Sequence, residues 1–203
     1  MKKFIDESWL VLVMGIAFAG LLAGTQTLMK PKIDTNEAAD TLKAIAEVVP
    51  QADPNRKAEE LDLESLGIAA GDLKIEKVSI YKCQAESGDL AGWAVSAAGP
   101  GFIDKIEIVV GLTPDGDKLL GVKAVKHLET PGLGNKIDTK GDENPFPLQF
   151  EGKSTAQPLV LVKGAAGQSQ EIEAITGATY SSQYVMDIVN EVMARIVPKL
   201  PKN

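Results

Sequence analysis

The chain has 203 residues and a formal net charge of −7, enough for one domain with a sizeable core plus an appendage. That charge and the lack of any dense Lys/Arg run argue against a nucleic-acid binder. One histidine, His127, and one cysteine, Cys83, are too few for a structural zinc site, an iron–sulfur cluster, a paired-histidine haem or an intrachain disulfide.

No calcium loop of the helix–loop–helix type is present either, so the sequence predicts no metal site and no catalytic residue of its own. Any redox chemistry would have to be carried by an organic cofactor. At the N-terminus, residues 1–8 precede an uncharged apolar run, Trp9 to Met29, long enough as a helix to cross a hydrocarbon core of roughly 30 Å. A cleaved signal peptide is the rival reading, with Ala17-Phe18-Ala19 as its cleavage site. The anchor is preferred because the apolar run continues through Leu21 and Leu22. Lys2 and Lys3 are balanced by Lys30 and Lys32, so the positive-inside count does not orient the span.

Residues 30–72 are expected to hold a helix and a connector. Asp34 to Val49 places Ala38, Leu42, Ile45 and Val49 on one helical face, with Asp34 or Thr35 as cap and Pro50 as stop. The following stretch to Asp72 is polar and irregular. From Leu73 the period becomes two, which opens a domain over 73–203. One hairpin turns at Ser87-Gly88-Asp89 and a second at Thr113 to Asp117. A long loop, Glu129 to about Pro147, then leads to two short strands, Pro158–Gly164 and Gln170–Ile175. A helix from about Ser182 carries Val185, Ile188, Val189, Val192, Met193, Ile196 and Val197 in one apolar stripe, and Pro198 ends it. Hairpins flanked by helices make an α+β fold with an antiparallel sheet.

The stretch ITGATYSS, Ile175 to Ser182, sits at the mouth of that helix. Its hydroxyls read equally as helix caps or as part of a phosphate seat at the positive end of a helix dipole. Cys83 reads as a packed strand residue, His127 as a hydrogen-bonded structural one, and Trp93 and Phe102 as core, with shielding of a bound cofactor ring as their alternative. Glu129 either meets a ligand or ends a strand.

With HLETPGLG, His127 to Gly134, this stretch resembles the FMN-binding domain family shared by the G subunit of the Rnf electron-transport complex and the C subunit of the sodium-pumping NADH:quinone reductase. The resemblance extends over the N-terminal span, GFIDKIEIVVGL and PFPLQFEGK, and the short chain fits the Rnf subunit better. It implies FMN joined by a phosphoester to Thr179, the last residue of the Thr176-Gly177-Ala178-Thr179 motif. A separate flavin transferase would make that bond from FAD. Ser181 and Ser182 would help to hold the phosphate, and Glu129, Thr130, Pro131, Gly132, Leu133 and Gly134 would lie against the flavin. Glu173 and Thr176 stand where the family usually has Asp and often has Ser, and both changes keep the functional group.

The resemblance further implies an electron-transfer subunit of a multi-subunit, ion-translocating ferredoxin:NAD oxidoreductase. Such a subunit would be single-pass in the inner (cytoplasmic) membrane, its soluble domain on the extracytoplasmic side. Small residues Gly15, Ala19, Gly20 and Ala23 would let the span pack against polytopic partners. The competing class is a membrane-anchored, non-redox binding module of the cell envelope.

Overall fold

A computed structural model describes residues 2–53, 58–138 and 146–201. The chain divides into two units, Met1–Asp40 and Thr41–Asn203. The first consists of helix α1, Lys2–Val48, which continues into the second unit. Within α1 the apolar run, including Trp9, Leu12, Ile16, Phe18 and Leu22, is exposed, and the helix is long and apolar enough to cross a membrane. The expected new start at Asp34 or Thr35 is absent. Pro31 lies inside the helix, and the Thr35 hydroxyl donates back to the Pro31 carbonyl at 2.8 Å instead of capping. Proline removes one helical N–H, but no glycine comes after it to end the helix there.

The second unit is built on a five-stranded antiparallel sheet in the order β1-β2-β3-β4-β5. Its strands are β1 (Glu59–Leu61), β2 (Glu76–Gln84), β3 (Leu90–Gly99), β4 (Ile106–Leu112) and β5 (Leu119–Lys126). Both expected hairpins form, β2–β3 and β4–β5. Strand β1 is an addition to the expected elements: it pairs with β2 from a stretch whose polarity hides its pattern. A separate pair, β6 (Val160–Val162) and β7 (Glu171–Glu173), runs parallel. Helix α2 spans Thr179–Arg195.

Period-two side chains divide the core between the two faces of the sheet. Trp93, Val95 and Ala97 of β3, with Ile106, Ile108, Val110 and Leu112 of β4, pack with the predicted stripe of α2. Ala91, Ala94 and Val109 face the other way, with Cys83, against Ala44, Ile45, Val48 and Val49. That stripe at the end of α1 differs from the predicted one: Ile45 and Val49 are buried, while Ala38 and Leu42 are exposed. Covered on both sides, β3 is buried along almost its whole length. Trp93 is in the core as expected, its indole N–H donating to the Pro114 carbonyl at 3.1 Å. Cys83 is a buried free thiol whose pKa burial pushes up to about 11, which suits packing rather than redox work.

Candidate functional site

Two glycine turns meet at the start of α2. In Ile175-Thr176-Gly177-Ala178 the Ala178 N–H donates to the Ile175 carbonyl at 2.9 Å, and Gly177 has φ +82°. In Thr130-Pro131-Gly132-Leu133 the Leu133 N–H donates to the Thr130 carbonyl at 3.2 Å, and Gly132 has φ +77°. A turn with positive φ at its third position selects glycine there, and proline suits its second. Both signature segments therefore owe their glycines to one local geometry.

The first turn hands the chain directly into α2. The helix begins at Thr179, three residues before the expected Ser182, with Ala178 in the cap position and no side-chain cap. Its first helical hydrogen bond runs from Ser182 N–H to the Ala178 carbonyl at 3.0 Å. The backbone N–H groups of Thr179, Tyr180 and Ser181 precede it and lie at the positive end of the helix dipole. Thr179 is half-buried, Gly177 exposed and Ala178 buried.

The two serines read as caps in the sequence because serine is disfavoured inside helices, but both are buried in the first turns. The Ser182 hydroxyl accepts from Ile175 N–H and donates to the Ala178 carbonyl, each at 3.0 Å. The Ser181 hydroxyl donates to Glu129 Oε2 at 2.6 Å. Both hydroxyl protons are thus engaged within the fold, with Ser181 donating to Glu129 and Ser182 to the Ala178 carbonyl.

Glu129 is 4% exposed and ties three segments together. Besides Ser181, its Oε1 accepts from the Phe102 N–H at 2.7 Å and from the Ile103 N–H at 3.4 Å. Two glycines make room for it: a Cβ on Gly101 would stand 2.6 Å from Oε1, and one on Gly134 2.8 Å from Oε2. His127 supports this corner: the Glu129 N–H donates to Nδ1 at 3.3 Å, which places the ring proton on Nε2, 3.2 Å from Asp138. Both ring nitrogens are thus engaged within the fold.

Phe102 is corrected from core to surface. Its ring is 58% exposed and stacks on Tyr180, 67% exposed, with centroids 5.9 Å apart and planes 16° from parallel. Tyr180 carries no signal in the sequence, since nothing there pairs residues so far apart. Leu133 is 44% exposed, its Cδ2 3.0 Å from where a Cβ on Gly177 would sit. A half-buried hydroxyl at a helix start, unbonded backbone donors and adjacent exposed apolar side chains match the parts of a flavin mononucleotide: phosphate, then planar ring. No group of metal-ligating side chains occurs among the described residues.

A family model described as the FMN-binding domain matches residues 101–194, a span holding both turns, Glu129 and most of α2. The G subunit of the Na(+)-translocating ferredoxin:NAD(+) oxidoreductase complex of Acetobacterium woodii is 31% identical over 192 residues, covering 93% of this chain and 89% of that one. The G subunit of an ion-translocating oxidoreductase complex of Methanosarcina acetivorans is 30% identical over 181 residues, 89% of this chain and 87% of that one. Among solved structures, NqrC of Shewanella oneidensis is 25% identical, covers 57% of this chain and 55% of that one, and superposes with a TM-score of 0.48.

Proposed function

Because the chain belongs to the family of G subunits of ion-translocating oxidoreductase complexes, with their FMN-binding domain, we propose that it carries FMN covalently on Thr179 as an electron carrier in such a complex. The observation that carries this is the placement of Thr179. A left-handed glycine turn delivers its hydroxyl to the first residue of α2, beside backbone donors and a loop fixed by Glu129. Bound FMN would supply single-electron transfer; the chain's own residues supply only its seat.

The Thr179 hydroxyl would bond to the FMN phosphorus of FAD as the pyrophosphate bond breaks, with AMP leaving and the hydroxyl proton passing to a base. A threonine needs a base or a metal-activated donor for this, and His127 is engaged with Glu129 and Asp138. A separate flavin transferase acting on FAD supplies that activation. The resulting phosphodiester, about one negative charge, is held by the N–H groups that open α2. Gly177 keeps the approach free of a side chain, and Ala178 adds no bulk. Thr176 is exposed at the second position of the turn, where a transferase can read it. Pro131, Gly132 and Leu133 form the second turn beside the seat, and Thr130 and Gly134 close it.

The apolar helix within α1 anchors the chain in the inner membrane, with the carrier domain on its extracytoplasmic side and other subunits of the complex around the span. Ferredoxin and NAD are the redox partners of the whole complex. Intact-mass measurement on protein from a host with an active flavin transferase tests the central claim. The expected result is an increase equal to FMN less one water, mapped to the peptide holding Thr179. Unmodified mass from such a host overturns it. Protease added to intact spheroplasts tests sidedness: the domain should be removed, and full protection reverses the orientation.

A further inference from the structure

The described residues contain two aromatic pairs, and they are treated in opposite ways. Phe146 and Phe150 meet edge to face in the core, while Phe102 and Tyr180 stack in solvent. Leaving two large rings exposed forgoes burial that a fold normally takes, unless something planar and apolar covers them. Tyr180 follows Thr179 in the first turn of α2, within the reach of a ring joined to that hydroxyl through a phosphate and a ribityl chain. The stack is also fixed in place. Glu129 holds the Phe102 N–H with one oxygen and Ser181, in the same first turn of α2 as Tyr180, with the other. One buried carboxylate therefore sets the spacing of both ring-bearing segments.

We propose that the Phe102–Tyr180 pair is the seat of the isoalloxazine ring, which stacks on the open face of Tyr180 and so extends the pair to three rings. This rests on the reading of Thr179 as the FMN attachment site. Offset stacking of near-parallel rings is favourable and leaves the flavin's polar edge free. A phenol in van der Waals contact with an excited flavin donates an electron and takes it back within the excited-state lifetime. Fluorescence is then quenched with no net chemistry. A phenyl ring stacks equally well but is too poor a donor to quench.

The test uses full-length protein loaded with FMN in its host, with covalent flavin verified by mass before each optical measurement. Wild type should be strongly quenched. Tyr180→Phe should keep the shape of the flavin absorption bands but raise fluorescence lifetime and yield severalfold. Tyr180→Leu should raise fluorescence and also lower its anisotropy, because the ring loses its platform. Phe102→Leu, remote in sequence from the transferase motif, should lengthen the lifetime and lower the anisotropy through Tyr180. An unchanged lifetime in loaded Tyr180→Phe overturns the proposal and leaves the rings to a partner subunit, a second copy or a lipid surface. If that variant is not loaded, an unchanged lifetime in Phe102→Leu overturns it instead. Absence of covalent FMN from the wild type is a different failure, that of the attachment reading itself.

Discussion

The turns at 130–133 and 175–178 share a glycine at positive φ in the third position, yet they are held in different ways. The second runs straight into a 17-residue helix whose buried stripe fixes its direction, so its job is to present Thr179. The first runs into no more than a short 3-10 turn, Gly134–Ile137. It is secured by Glu129, whose side chain reaches across to the Phe102 segment and to α2. One turn is positioned by the long helix next to it in sequence, the other by a short 3-10 turn and a buried side chain that reaches across the site. Attachment and shaping of a cofactor site thus rest on different supports, joined where Glu129 accepts from Ser181.

The largest effect is expected from the attachment side. Thr179→Ala should abolish covalent flavin completely while leaving the fold intact, since Thr179 makes no hydrogen bond on which the core depends. Leu133→Asp, in the other turn, should retain covalent flavin and shift its reduction potentials, because a carboxylate beside the ring disfavours a negatively charged reduced form. Mass and redox titration of both variants check the division. Loss of covalent flavin in Leu133→Asp would merge the two roles.

Next comes the buried support. Glu129→Ala strands the Phe102 N–H and the Ser181 hydroxyl, and should cost about 3 kcal/mol in denaturant unfolding. Glu129→Gln keeps an acceptor for Phe102 and can donate to the Ser181 oxygen in place of accepting from it, so it should cost clearly less. Equal losses in the two variants would mean that the carboxylate fills space rather than bonds.

The hairpins, the α2 stripe and the apolar span were legible because they depend on local periodicity and turn chemistry. So was the importance of both signature segments, although only as residues that belong together. What the sequence hid is long-range. Ser181 and Ser182 look like caps because nothing nearby shows that Glu129 and Ile175 are waiting for them. Phe102 looks like core because its partner, Tyr180, arrives from the far end of the domain. Strand β1 is polar and edge-placed, so no apolar alternation marks it, and the cap-like Asp34 and Thr35 lie within one continuous helix.

The smallest effects compare the two turns at the same atom. Gly177→Ala and Gly132→Ala each place a methyl at nearly the same left-handed φ, +82° and +77°. That conformation costs a non-glycine residue roughly 1–2 kcal/mol, and the stiffer unfolded chain gives back about 0.4–1 kcal/mol of it. The neighbours then decide. At Gly132 nothing lies within 4 Å of the new methyl, so the net loss should be no more than about 1.6 kcal/mol. At Gly177 the methyl meets Leu133 Cδ2 at 3.0 Å, so Leu133 must also move a few tenths of an ångström. Gly177→Ala should therefore be the more destabilising of the pair in urea unfolding. It should also disturb the flavin spectrum, because the side chain it pushes belongs to the other turn. If the two variants unfold alike and leave the spectrum alone, the turns do not touch in the way this contact requires, and Leu133 ceases to link them.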